Sequence, residues 1–151
     1  MTDAGYSGTP LARKLGLKDG QAVAFVGLPD SLHDLTYSAT FRRIEITQDW
    51  RALPEGARDV IHWFTKAAAE VHAALPVLRD LIEPDGMIWV SWPKKAAKVP
   101  TDVTEDIIRD RALADVLVDV KVCAVDAVWS GLKLVVRKEA RAGHINARGY
   151  T

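Results

Sequence analysis

The sequence predicts an α/β fold, a three-layer sandwich whose mostly parallel sheet of about six strands ends in an antiparallel hairpin. Three observations carry that reading. Continuous apolar runs recur at QAVAFVG (21–27), RDVIHWF (58–64) and GMIWVSW (86–92), the pattern of strands covered on both faces. Segments with helical spacing lie between and after them, which calls for parallel crossovers. The last third changes to alternation, the period of an antiparallel pair with one wet face.

In chain order, Thr9 and Pro10 read as the N-cap and first turn of a short helix that stops at Gly16. Lys18-Asp19-Gly20 turns the chain into the first buried strand. A weak helix follows Pro29 and Asp30, and FRRIEI (41–46) alternates apolar with charged residues, as an edge strand does. After the strand at 58–64, Val71, Leu75, Leu78 and Ile82 fall at helical spacings, with Pro76 set to kink or break the helix and Pro84-Asp85-Gly86 to end it. The third buried strand runs out at Trp92 into a loop reaching Pro100. A further helix spans about Thr101 to Leu113, with Asp102 and Glu105 spaced as a reciprocal cap. In the hairpin, Val118, Val120, Val122 and Ala124 share one face against Asp119, Lys121 and Cys123, and Leu132, Leu134 and Val136 repeat the pattern. Residues 1–138 thus form a single domain, and 139–151 read as a polar, loose tail.

At 151 residues the chain suffices for one self-supporting core. Twenty Lys and Arg balance twenty Asp and Glu, so no net field draws it to nucleic acid or anionic lipid. One cysteine forbids an internal disulfide and fits a reducing compartment. With neither a secretory leader nor a membrane-length segment, the expectation is a cytoplasmic protein.

Ligands of such sheets bind outside the carboxyl ends of the strands. The loop after the first strand, VGLPDS, holds Gly27 alone where a glycine-rich phosphate turn would stand, and Pro29 removes a donor. GYSGT (5–9) lacks the last glycine and the preceding strand of a nucleophile elbow around Ser7. His33, His62, His72 and His144 show no metal-ligand spacing, and Cys123 has no histidine near it in sequence. No metal, cofactor or catalytic residue is assigned. Asp102, Glu105 and Asp106 sit at a helix start, where the helix dipole accounts for them. A rim set remains: Trp92, Lys94, Lys95 and Lys98 on one loop, Phe64, Thr65 and Lys66 on its neighbour, and Trp129 with Ser130 in the hairpin turn. Lysines beside indoles suit an anion or a cation-π partner.

GYSGTPLARKLGLKDG, PDGMIWVSWPKKAAKVPTDVTED and LVDVKVCAVDAVWSGLKLVVRK, spread over residues 5–138, resemble the bacterial family catalogued as domain-of-unknown-function family 3052. The order of elements is also similar to the Rossmann-like sheet of S-adenosylmethionine-dependent methyltransferases, in reduced form. That resemblance implies a cofactor loop at Gly27, Pro29 and Asp30, and a ribose-binding acid at Asp49 or Glu45. Two functions follow. The first is a non-catalytic module that binds a protein or a small anionic ligand at the SWPKK rim, with a homodimer through an edge strand or the hairpin face. The second is a methyltransferase with an atypical cofactor loop.

Overall fold

A computed structural model describes residues 10–145. Thr9, Ser7 and the last six residues of the expected tail lie outside them. Six strands form one sheet in the order β2-β1-β3-β4-β6-β5. The strands are β1 (Ala22–Val26), β2 (Arg43–Thr47), β3 (Arg58–Phe64), β4 (Ile82–Pro93), β5 (Leu117–Ala124) and β6 (Trp129–Val136). The first four are parallel, and β6 pairs antiparallel with both β4 and β5. Helices α2 (Ala68–Arg79) and α3 (Glu105–Leu113) cover one face over a core that includes Val26, Ile61, Leu75, Val90, Ile108 and Leu134. Helix α1 (Leu11–Lys14) and a 3-10 helix at Asp30–Tyr37 cover the other, over Val23, Phe25, Val60 and Trp89. Trp89 is fully buried and donates its Nε1–H to the Leu15 carbonyl, which ties α1 to the middle of the sheet. Two layers of helix over a sheet with a closing antiparallel pair is the predicted α/β sandwich.

Several elements differ in detail from the sequence pattern, each for a local reason. Helix α2 stops at Arg79, and Ile82 belongs to β4, where it pairs with Arg58 across an irregular ladder. Pro76 lies inside α2 without ending it. Proline cannot donate to the carbonyl four residues back, and here Arg111 Nε donates to that carbonyl, on His72, at 3.3 Å. Thr104, not Asp102, caps α3, accepting from the Ile107 N–H; Asp102 instead accepts from the Ala68 N–H at 2.7 Å and starts α2. In β5 a register shift between Asp119 and Lys121 inserts one residue. That bulge breaks the expected single apolar face: Asp119 reaches Arg109 on α3, Cys123 is buried on the opposite face, and Val120 and Val122 are exposed. At the far end of the sheet, His144 is buried with its Nε2 3.1 Å from the Ile82 carbonyl oxygen, while Glu139, Ala142, Gly143 and Ile145 are exposed.

The edge strand β2 presents Ile44 and Ile46 outward because Glu45 is needed inward. Arg58 is 0 % exposed and donates to Glu45 through Nε (2.6 Å) and Nη2 (2.8 Å), and to the carbonyls of Pro54 and Gly56. Burial pushes the Glu45 carboxyl up, but the hydrogen bonds and charge of Arg58, helped by Arg43, outweigh it and hold the group below its ordinary value. Glu45 is therefore the partner of a buried cation, not a ligand-binding acid. Removing the guanidinium strands a partly buried carboxylate and two carbonyls, so Arg58→Ala should cost about 3–5 kcal/mol in urea unfolding at pH 7. A loss under 1 kcal/mol contradicts this assignment.

Between the layers, His62 Nε2 lies 2.7 Å from Ser91 Oγ while its ring stacks on Phe64 with centroids 4.2 Å apart. Burial pulls the imidazole down to about 3, so it is neutral in the folded protein at pH 7. An unfolded histidine takes up a proton near pH 6.5, and the folded one does not until far lower. Between those values the unfolded state binds more protons, so stability is full above pH 6.5 and falls as the pH drops, by up to about 1.4 kcal/mol per pH unit. His62→Gln should remove this component: between pH 7 and 4.5 the wild type should lose about 2–3 kcal/mol more than the variant in matched urea titrations. Parallel losses in the two proteins would locate the acid sensitivity elsewhere.

Candidate functional site

Strand β1 has β2 on one side and β3 on the other, so the chain's direction of travel across the sheet reverses there. Exits from β1, β2 and β3 diverge at such a switch point and leave a crevice. The crevice measures about 650 Å³ and is walled by Gly27 to Asp30, Gln48 to Arg51, Trp63 to Lys66, Glu70 and Trp129.

The β1 exit is set by Gly27. Its φ is +69°, and a Cβ there would stand 3.0 Å from the Phe64 carbonyl oxygen, so only glycine lets the chain pass this close to the end of β3. Its N–H donates to the Thr47 carbonyl at 2.8 Å, and Pro29 follows in extended backbone. This glycine serves the crossing of two chain segments. It does not form an open phosphate cradle. Asp30, exposed at the start of the 3-10 helix, brings a carboxylate to the wall.

The β2 exit carries Asp49, whose Oδ1 accepts from the Arg51 backbone N–H at 2.9 Å and from Arg51 Nη1 at 3.3 Å. Arg51 forms two parallel bonds to Glu70, Nη1 to Oε1 and Nη2 to Oε2, both 2.9 Å, and lies 4.3 Å above the Trp50 ring. Trp50 also donates Nε1–H to Glu70 Oε1 at 3.0 Å. Hydrogen bonds from Arg51 and Trp50 hold the Glu70 carboxyl below the ordinary range. Arg51 and Glu70 thus cancel, leaving Asp30, Asp49 and Lys66, a net of one negative charge. Sequence reasoning missed Trp50, Arg51 and Glu70. The only trace was Asp49-Trp50-Arg51 directly after an edge strand, since Glu70 comes from α2, 19 residues beyond Arg51.

The third wall is aromatic. Trp129 meets Phe64 edge to face, centroids 5.2 Å apart at 88°. Of the predicted rim residues, Phe64, Thr65, Lys66 and Trp129 line this cleft with Gly27, Pro29 and Asp30. Trp92 and Lys95 line a smaller groove of about 360 Å³ with Thr101 and Thr104. Pro93 pairs with Trp129 and Trp92 with Ser130, so all these exits share one end of the sheet, but Trp92 and Trp129 point to opposite faces. The sheet itself splits the expected single mouth in two. Lys94 lies between them, its N–H bonded to the Val128 carbonyl at 2.7 Å.

Burial raises the Cys123 thiol despite Lys14 and Lys121 nearby, which suits a packing residue. Among the described residues no group of three or more His, Cys, Asp or Glu is placed to hold a metal ion, and no helix is long and apolar enough to cross a membrane.

No family model and no curated protein sequence matches the chain. Solved structures do. A putative type 11 methyltransferase from Sulfolobus solfataricus superposes with a TM-score of 0.60 at 13% identity over 82% of this chain and 86% of its own. Magnesium protoporphyrin IX methyltransferase from Synechocystis PCC 6803, with bound SAH, gives 0.59 at 14% identity, over 78% of this chain and 74% of that one. The ribosomal protein L11 methylase of Lactobacillus delbrueckii subsp. bulgaricus gives 0.58 at 14%, over 83% and 74%. Identities this low speak to architecture alone: the chain has the Rossmann-like fold of S-adenosylmethionine-dependent methyltransferases.

Proposed function

We propose that the switch-point cleft binds S-adenosylmethionine and that the chain is a methyltransferase with an atypical cofactor loop. The observation that carries this is the coincidence of the cleft with the carboxyl ends of β1, β2 and β3, the place where doubly wound sheets take nucleoside ligands. The cleft's chemistry fits the cofactor's parts. Asp49 stands at the end of β2, exposed enough to accept from ribose hydroxyls while Arg51 steadies its other contacts. Phe64 and Trp129 offer apolar walls to a purine. Asp30, on the cleft wall after β1, would hold the cofactor's ammonium by a charge pair in place of a glycine-rich cradle. When bound, the cofactor supplies an electrophilic methyl group; the protein's part is to orient it and to keep water from its sulfonium side. A net negative cleft favours the cofactor, with its sulfonium charge, over its zwitterionic demethylated product of zero net charge, which assists product release.

A second reading keeps the cleft non-catalytic and places recognition of a protein or anion at the Trp92 and Lys95 groove. It rests on the separation of that groove from the cleft and on Lys95 at its wall, with Lys94 and Lys98 at the two ends of the same 3-10 turn. The membership of family 3052 and a homodimer belong with this reading as proposals.

Calorimetric titration separates the two. The first expects micromolar S-adenosylmethionine affinity, weaker S-adenosylhomocysteine binding, and a loss of about tenfold or more in Asp49→Asn and in Asp30→Asn, since each removes a charge-assisted bond. Absence of binding at millimolar cofactor in a folded protein overturns it. The second then stands if Lys94→Glu with Lys95→Glu abolishes capture of a partner or anion that the wild type retains.

A further inference from the structure

A second, cationic site lies on the α1 face of the sheet and plays no part in the cleft. In the β5–β6 ladder Lys121 sits directly opposite Lys133. Lys133 in turn is the register partner of Trp89, the residue whose indole is bonded to Leu15, so both ammonium groups are carried to the α1 side. Lys121 Nζ confirms the direction by donating to the Lys14 carbonyl at 3.1 Å. Lys18, just beyond α1, is close enough to act on Lys133.

Like charges directly opposite across an antiparallel pair are destabilising, and proteins ordinarily relieve them with a carboxylate. Among the described residues no carboxylate is paired with either lysine. The ion pairs seen between described residues do not involve Lys18, Lys121 or Lys133. The two nearest acids along β5 and β6 are engaged elsewhere: Asp119 projects to Arg109 on the other face, and Asp126 accepts from the Val128 and Trp129 N–H groups in the hairpin turn. The Lys14 carbonyl accounts for one ammonium only. Burial first, and then Lys121 and Lys18, lower the Lys133 ammonium from its ordinary value.

We propose that Lys18, Lys121 and Lys133 form a binding site for a phosphate-class oxyanion. Lys121 and half-buried Lys133, opposed on one face of the hairpin with Lys18 near Lys133, match the charge of a phosphate or pyrophosphate group, and a bound anion removes the repulsion that the fold otherwise carries. The site stands four residues along β6 from Trp129, about 13 Å. It is thus separate from the proposed nucleoside cleft and does not depend on it.

The probes are inorganic phosphate and pyrophosphate, with sodium chloride at matched ionic strength as control. Saturating pyrophosphate should raise the melting temperature of the wild type by about 5 °C, phosphate by less, and chloride should give no such rise. Lys121→Gln with Lys133→Gln should abolish the anion effect. In anion-free buffer each single variant should melt at or above the wild type, because the opposed charges are relieved. Broadening of the pyrophosphate phosphorus resonance by the wild type, absent with the double variant, reads binding without reference to stability. Equal shifts in chloride, a response retained by the double variant, or single variants that melt below the wild type in anion-free buffer would each overturn the proposal.

Discussion

Residues 48–57, the link from β2 to β3, govern both the site and its support. The link must return the chain along the length of β1 and step across it, because β1 lies between the two strands it joins. Ten residues at roughly 3.3 Å each span about 33 Å, which covers the trip but leaves no room for a helix of normal length. The chain accordingly makes one short 3-10 turn at Trp50–Ala52 and then runs on through Pro54 and Gly56. Its start supplies the cleft wall of Asp49, Trp50 and Arg51. Its end needs an internal fastening in place of helix packing, and Arg58 provides it by gripping the link's own carbonyls and Glu45 at once.

Much of this architecture was legible because burial on both faces writes itself into sequence. AVAFV, RDVIHWF and MIWVSW are apolar on successive residues, and only central strands of a covered sheet need that. Legibility failed where one residue changes the register or where the partner is distant. The extra residue at Val120 inverts every side chain downstream, and no local pattern distinguishes a bulged strand from a regular one. Asp102 reads as a cap for the helix that follows it, yet it serves α2, 34 residues earlier, through a contact that exists only once two rim loops dock. Glu45 and Asp49 looked equivalent as candidate acids. They differ because one faces a buried guanidinium and the other the crevice.

The candidate site was half visible for the same reason. Phe64, Thr65, Trp129 and Gly27 lie at strand exits, and strand direction alone places all exits on one rim. Direction says nothing of which face an exit residue takes. Trp92 and Trp129 occupy consecutive rungs of the β4–β6 ladder, and consecutive rungs alternate faces, so the two indoles are divided by the sheet although their backbones are neighbours.

Charge explains how the proposed ligand site does without a glycine-rich loop. A phosphate or carboxylate needs backbone N–H groups presented by a permissive turn, and Gly27 is already committed to clearing the Phe64 carbonyl while Pro29 has no N–H to give. A loop with those two residues cannot hold an anion by its backbone. It can hold a cation by a side chain, and Asp30 is the side chain placed to do so, with Asp49 across the crevice and Glu70 silenced by Arg51. On the proposed reading, Asp30 is the cleft's partner for the ammonium of the cofactor. The proposed anion site lies on the hairpin instead, where Lys121 and Lys133 oppose one another.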